Sequence, residues 1–110
     1  MTYTRDPSSV TRKELAPGVT LRPMWGEQIM MSVVEMAPNS VVPMHTHSNE
    51  QAGLVLQGEF DFTIGGETTR MRQGDAYIIP SGVEHGLVAS DGWSMALDIF
   101  SPPRKDYMSD

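Results

Sequence analysis

Three histidines carry the chemistry this sequence can offer. His45 and His47 stand two residues apart in Pro43-Met44-His45-Thr46-His47-Ser48-Asn49-Glu50-Gln51, and His85 closes a later stretch that begins at Gly74. Imidazole is the commonest metal ligand among side chains and titrates near neutrality. On a strand, positions i and i+2 share a face about 6–7 Å apart along the backbone, so His45 and His47 can converge on one ion. A third imidazole from a neighbouring strand would close one face of a metal. The alternative is three unrelated surface histidines. The chain has no cysteine, which excludes disulfides, thiolate metal sites and cysteine nucleophiles.

The elements that must position these residues are short strands. The 110 residues are enough for one domain, and 39% are apolar, adequate for one core. Residues 19–25 form a strand, with Pro23 marking an edge or bulge. Residues 29–36 are rich in β-branched types and form another. Asn39 suits a turn with left-handed backbone. Residues 51–57 form a strand that continues past Gly58 through 59–64, where Phe60, Phe62 and Ile64 alternate with polar residues. Gly65-Gly66 is a two-residue hairpin signal before 68–71. Residues 76–79, 86–89 and 93–100 complete the set, with a short strand expected near 12–16. Many short strands, frequent turn signals and no convincing helix give an all-β sandwich or barrel. The expected organisation is an arm over 1–18, a barrel over 19–102 and a tail over 103–110.

Composition narrows the partners. A formal net charge of −6 makes a poor nucleic-acid binder. It also repels small anions at long range, so an anionic ligand needs a local metal or arginine. The nine methionines are expected as adaptable core filler. With no signal-peptide pattern and no stretch near the ~18 apolar residues of a spanning helix, no membrane association and a cytoplasmic location are expected.

Residues 39–89 resemble the cupin superfamily. Its first motif reads Gly, five residues, His-x-His, three or four residues, Glu, six residues, Gly; here Asn39, His45, His47, Gln51 and Gly58 occupy those places. Its second reads Gly, five residues, Pro-x-Gly, two residues, His, three residues, Asn; here stand Gly74, Pro80, Gly82, His85 and Ala89. The resemblance implies a double-stranded β-helix, the jelly-roll barrel, with one divalent transition metal in its mouth. Its ligands would be His45, His47, His85 and the residue at position 51. Nickel, zinc, manganese and iron all accept such ligands.

Position 51 is the departure that matters, because the family glutamate is replaced by Gln51. Glu50 lies one residue early, and a one-residue shift on a strand turns the side chain to the other face. The spacing to Gly58 also fits Gln51. Gln51 is therefore expected as fourth ligand, with Glu50 through a bulge as the alternative. Three imidazoles and an amide are all neutral, which leaves the full charge on the ion and favours polarising an anionic, oxygen-rich substrate over oxygen chemistry.

Near the C-terminus, Ser94, Ala96, Asp98 and Phe100 share one strand face, and Met95, Leu97 and Ile99 share the other. The second set is wholly apolar and is expected as core. If the first faces the barrel interior, Asp98 is a general acid/base candidate, Phe100 a wall for a sugar ring, and Arg104 a group at the mouth. Arg22, Arg70 and Arg72 are alternative clamps, and Tyr77 is core or pocket lining. The ending Asp98-Ile99-Phe100-Ser101-Pro102-Pro103-Arg104 is similar to that of the pectin-degradation cupins of the KdgF type. That resemblance implies an enzyme opening the ring of 4,5-unsaturated uronates to linear keto-uronates, with Asp98, Phe100 and Arg104 at the active site and a small anionic sugar as substrate. A dioxygenase-type cupin and a non-catalytic sugar-binding cupin are the alternatives. Exposed edge strands and the resemblance together suggest a homodimer.

Overall fold

The computed structural model describes residues 3–108; residues 1–2 and 109–110, the ends of the expected arm and tail, lie outside the described residues. In chain order the strands are β1 (Lys13–Ala16), β2 (Val19–Trp25), β3 (Met30–Met36), β4 (Val41–His45), β5 (Glu50–Gln57), β6 (Glu59–Ile64), β7 (Glu67–Arg72), β8 (Ala76–Ile79), β9 (His85–Ala89) and β10 (Ser94–Ser101). Short 3₁₀ turns occupy Pro7–Ser9 and Lys105–Tyr107. A larger sheet runs in the order β1-β2-β3-β10-β5-β8 and a smaller one in the order β4-β9-β6-β7, every pairing antiparallel. The two sheets form the jelly roll. Among the described residues, no helix is long and apolar enough to cross a membrane.

Local chemistry accounts for the corners. Gly65 and Gly66 both take positive φ (57° and 82°), the demand of a two-residue hairpin between β6 and β7. Asn39 is left-handed at φ 61°. β1 pairs only with residues 19–21 of β2, so Pro23 falls where that strand has become an edge. The core between the sheets includes Met30, Met36, Val55, Phe60, Phe62 and Ile79. Of the methionines, Met30, Met36 and Met71 are buried as expected, whereas Met31 and Met44 are exposed.

Two expectations are corrected here. Residues 51–64 are not one continuous strand: β5 belongs to the larger sheet and β6 to the smaller. Gly58 makes the switch with φ 73°, and a Cβ there would lie 2.5 Å from the Trp93 carbonyl oxygen. Nor are Met95, Leu97 and Ile99 core. Ser94, Ala96 and Phe100 are the buried residues of β10, and the apolar set lies half-buried on the outer face of the larger sheet. Alternation shows which residues share a face but not which face another layer covers.

Candidate metal centre and the cavity beneath it

His45 ends β4 and pairs in register with His85, the first residue of β9. His47 is not on the same strand, as the i, i+2 spacing suggested; it lies in the loop after β4. The three still converge, with one ring nitrogen from each within 4.8 Å of the others. The Nδ1 atoms face outward to backbone carbonyls: His45 to Pro43 at 2.8 Å, His47 to Asn49 at 3.0 Å and His85 to Val83 at 2.8 Å. A ring nitrogen facing a carbonyl is the one that carries hydrogen, so each Nε2 is left with its lone pair.

These Nε2 atoms have little else to bind. His85 Nε2 is buried without a hydrogen-bond partner among the described residues. His47 Nε2 lies 3.0 Å from Gln51 Oε1, two acceptors in contact, a pairing that a shared cation relieves. Burial drives the His85 pKa down to about 4 and lowers that of His47, with the Arg104 charge adding to both. His47 and His85 are thus favoured in the neutral form, the one that ligates metal. The donor set fits a divalent transition ion.

Gln51 is 5% exposed and points inward from β5, between Phe100 on β10 and Ile79 on β8. Glu50 points away and is exposed. The choice between them follows from strand parity.

One row deeper on the same inner face, Ser32, Asp98, Gly53 and Tyr77 are register neighbours across β3, β10, β5 and β8. Asp98 therefore faces the cavity, and the Tyr77 hydroxyl donates to its Oδ1 at 2.5 Å. These two residues lie two strands apart and meet because of Gly53. A Cβ at Gly53 would sit 2.1 Å from Tyr77 Cζ and 2.3 Å from its hydroxyl. The phenol crosses β5 through the space that glycine leaves open. Burial raises the Asp98 pKa to about 6, against hydrogen bonds from Tyr77 and Gln51 and the Arg104 charge. Burial and the neighbouring Asp98 push the Tyr77 hydroxyl well above its usual value. The sequence reading missed Gly53 and Ser32. A glycine inside a strand is a signal that another group approaches closely; for Ser32 there was none.

Phe100 is buried and meets the His47 ring edge-on at 5.7 Å. Arg104 stacks over the Tyr107 ring at 4.1 Å and reaches Phe100 at 5.5 Å. Its guanidinium bonds the Tyr107 hydroxyl at 2.8 Å and Asp106 at 2.9 Å. The tail is anchored by Tyr107, which is buried, and by Asn49 donating to the Pro102 carbonyl. Arg22, Arg70 and Arg72 are not brought to the site: they pair with Glu35, with Glu59 and Asp61, and with Glu59.

His45, Gln51, Tyr77, His85, Asp98, Phe100 and Arg104 line one hollow with apolar walls that include Val34, Phe62 and Ala96. It measures about 510 Å³ with its open mouth included, of which about 40 Å³ admits the centre of a water molecule. The inner row therefore has room only for small groups, and a ring-sized ligand would have to sit at the mouth.

The profile of the Cupin domain family matches residues 32–100. The pectin degradation protein KdgF of Dickeya dadantii is 32% identical over 98 residues, covering 87% of this chain and 89% of that protein. H2HPP isomerase of Bacillus subtilis is 30% identical over 94 residues, 84% of this chain but 40% of that longer protein. Among solved structures, KdgF from a Halomonas species superposes with a TM-score of 0.84 at 30% identity, covering 92% of this chain and 94% of that one. An RmlC-like cupin from Shewanella frigidimarina superposes with a TM-score of 0.90 at 21% identity, over 98% and 97% of the two chains, and shares the fold. The chain belongs to the cupin family, with KdgF proteins among its relatives.

Proposed function

We propose that this cupin is a metal-dependent enzyme that opens the ring of 4,5-unsaturated uronates to give keto-uronates in pectin or alginate breakdown. The observation that carries it is the arrival of Asp98, from the far end of the chain, in the hollow lined by His45, Gln51 and His85. A pectin-degradation protein among the relatives supports the substrate class, and a relative named an isomerase supports proton-moving over redox chemistry.

A divalent ion of nickel, zinc, manganese or iron, held by His45, His47, Gln51 and His85, would supply undiminished positive charge for a carboxylate and a developing oxyanion, since all four donors are neutral. Arg104 adds a planar donor pair for the uronate carboxylate. Phe100 is a wall behind the ring. Asp98 takes the proton of the anomeric hydroxyl; the bond from C1 to the ring oxygen breaks, leaving an aldehyde at C1 and an enolate at C5. Asp98 then delivers the proton to C4, and the C5 oxygen becomes a ketone. One proton moves from O1 to C4 and the carboxylate is regenerated. Tyr77 acts through Asp98, holding its carboxyl group towards the cavity.

The test is to add the metal-loaded protein to unsaturated galacturonate and follow the absorbance of the conjugated double bond. Accelerated loss is expected. No acceleration over buffer, with metal occupancy confirmed, overturns the assignment.

The working form is assigned as a homodimer. Val33, Leu97 and Leu54 are register neighbours on the outer face of the larger sheet, as are Met31, Ile99, Ala52 and Ile78. Such an apolar patch would be covered by the same patch of a second copy about a two-fold axis.

A further inference from the structure

Ser32 is a group that the mechanism above does not use. It lies on β3 at 0% exposure, and its neighbours on the same face of that strand, Met30, Val34 and Met36, are all apolar. It lines the cavity. Its Oγ has no hydrogen-bond partner among the described residues. The sheet explains why. Pro23, its register neighbour on β2, offers no N–H. Asp98, its neighbour on β10, turns its carboxylate to the Tyr77 hydroxyl and makes no bond with Ser32. A buried hydroxyl left unpaired is a standing cost to the fold, and alanine would fill the same place without it. Ser94 Oγ is also buried and unpartnered but does not line the cavity. Of the two buried orphan groups that do line it, His85 Nε2 belongs to the metal set; Ser32 Oγ remains.

We propose that Ser32 is a specificity-determining residue, its Oγ hydrogen-bonding a hydroxyl of the sugar bound at the mouth, one strand away from Asp98. This rests on the uronate assignment of the site. A hydroxyl is small enough to enter the inner row where a ring is not, and serine both donates to and accepts from it. A site that leaves a buried polar group unmet when the ligand lacks its hydroxyl discriminates strongly against that ligand.

The experiment uses metal-loaded wild type, Ser32→Ala and Ser94→Ala. Calorimetry measures binding of saturated galacturonate and its 2-deoxy and 3-deoxy analogues, and turnover of unsaturated galacturonate is measured beside it. Ser32→Ala is expected to bind galacturonate about tenfold more weakly and to lose about tenfold in kcat/KM. Wild type is expected to disfavour one deoxy analogue, and Ser32→Ala to treat that analogue and galacturonate alike. Ser94→Ala is expected to match wild type in both. Unchanged galacturonate affinity in Ser32→Ala overturns the proposal, as does a wild type that binds both deoxy analogues as tightly as galacturonate or binds no galacturonate. Ser32-dependent binding without turnover would keep Ser32 as a sugar contact and sink the ring-opening assignment. Turnover that Ser32→Ala leaves unchanged would do the reverse. Wild-type discrimination among the analogues needs no variant, so a poorly folding Ser32→Ala does not shield the proposal.

Discussion

One row of the larger sheet departs from the usual rule on both of its faces. An antiparallel sheet with one covered face ordinarily puts apolar residues inward and polar residues outward. Here the inner row reads Ser32, Asp98, Gly53, Tyr77, and the outer row beside it reads Val33, Leu97, Leu54. The inner row holds an acid raised by burial and a hydroxyl without a partner, both unfavourable to folding. The outer face leaves Leu54 39% and Ile78 63% exposed. On the proposed function each departure has a separate explanation: the inner face is shaped for a ligand and the outer face for another copy of the chain. If so, inner substitutions should move chemistry and outer ones assembly.

The largest effect belongs to the metal set. His85→Ala, or removal of metal by a chelator, should bring uronate turnover down to the uncatalysed level, and metal analysis should show the variant empty. Retained metal and activity would place the reactive centre elsewhere.

Asp98→Asn comes next, with a loss of about 10²–10⁴-fold in kcat. It also carries a signature in stability. The folded pKa of about 6 lies above the ordinary 3.8, so the folded state holds the proton more tightly. That favourable contribution is complete below pH 3.8 and is lost as pH rises through 6. In the metal-free protein at about pH 8, Asp98→Asn should therefore unfold at higher urea than wild type, a gain on the order of 2 kcal/mol. Near pH 3 the two should coincide.

Gly53→Ala asks whether Tyr77 needs its passage. The added methyl meets the phenol, so a destabilisation of ~1–3 kcal/mol is expected, together with about a tenfold fall in kcat. Tyr77→Phe should reproduce most of the kcat loss with the fold intact, because only the hydroxyl that holds Asp98 is removed. Wild-type kcat in Tyr77→Phe would show that Asp98 needs no such support.

The smallest catalytic effect is expected on the outer face. Leu97→Glu should shift sedimentation from dimer to monomer and change kcat by less than about twofold, since no inner residue moves. A wild type that sediments as a monomer would leave the apolar face without its assigned partner.

Much of this site was legible in residue order because its determinants are local. The turns at Asn39, Gly65-Gly66, Gly74 and Gly82 depend on one or two backbone angles. Strand parity puts Glu50 and Gln51 on opposite faces, and the resemblance to the cupin motif, through the distance to Gly58, implies Gln51. The grouping of Asp98 with Phe100, opposite Leu97, is parity again. What residue order left open was sign and register. Parity could not say that Asp98 faces inward, because that depends on which face of β10 the smaller sheet covers. Nor could it put His47 in a loop rather than on β4, since backbone pairing decides where the strand stops.

The inner row is the clearest case. Ser32, Gly53, Tyr77 and Asp98 are spread over 67 positions of the chain and become neighbours only when β3, β5, β8 and β10 align in one register. The sequence by itself marked three histidines that could hold a metal, with the neutral Gln51 as the expected fourth donor, in a chain of short strands. Only the tertiary structure decided what lies beneath it: an acid held by a tyrosine through the gap over a glycine, beside a serine with nothing to bind. Side-chain type is written residue by residue, but cross-strand neighbours are set by long-range pairing, and no local pattern encodes them.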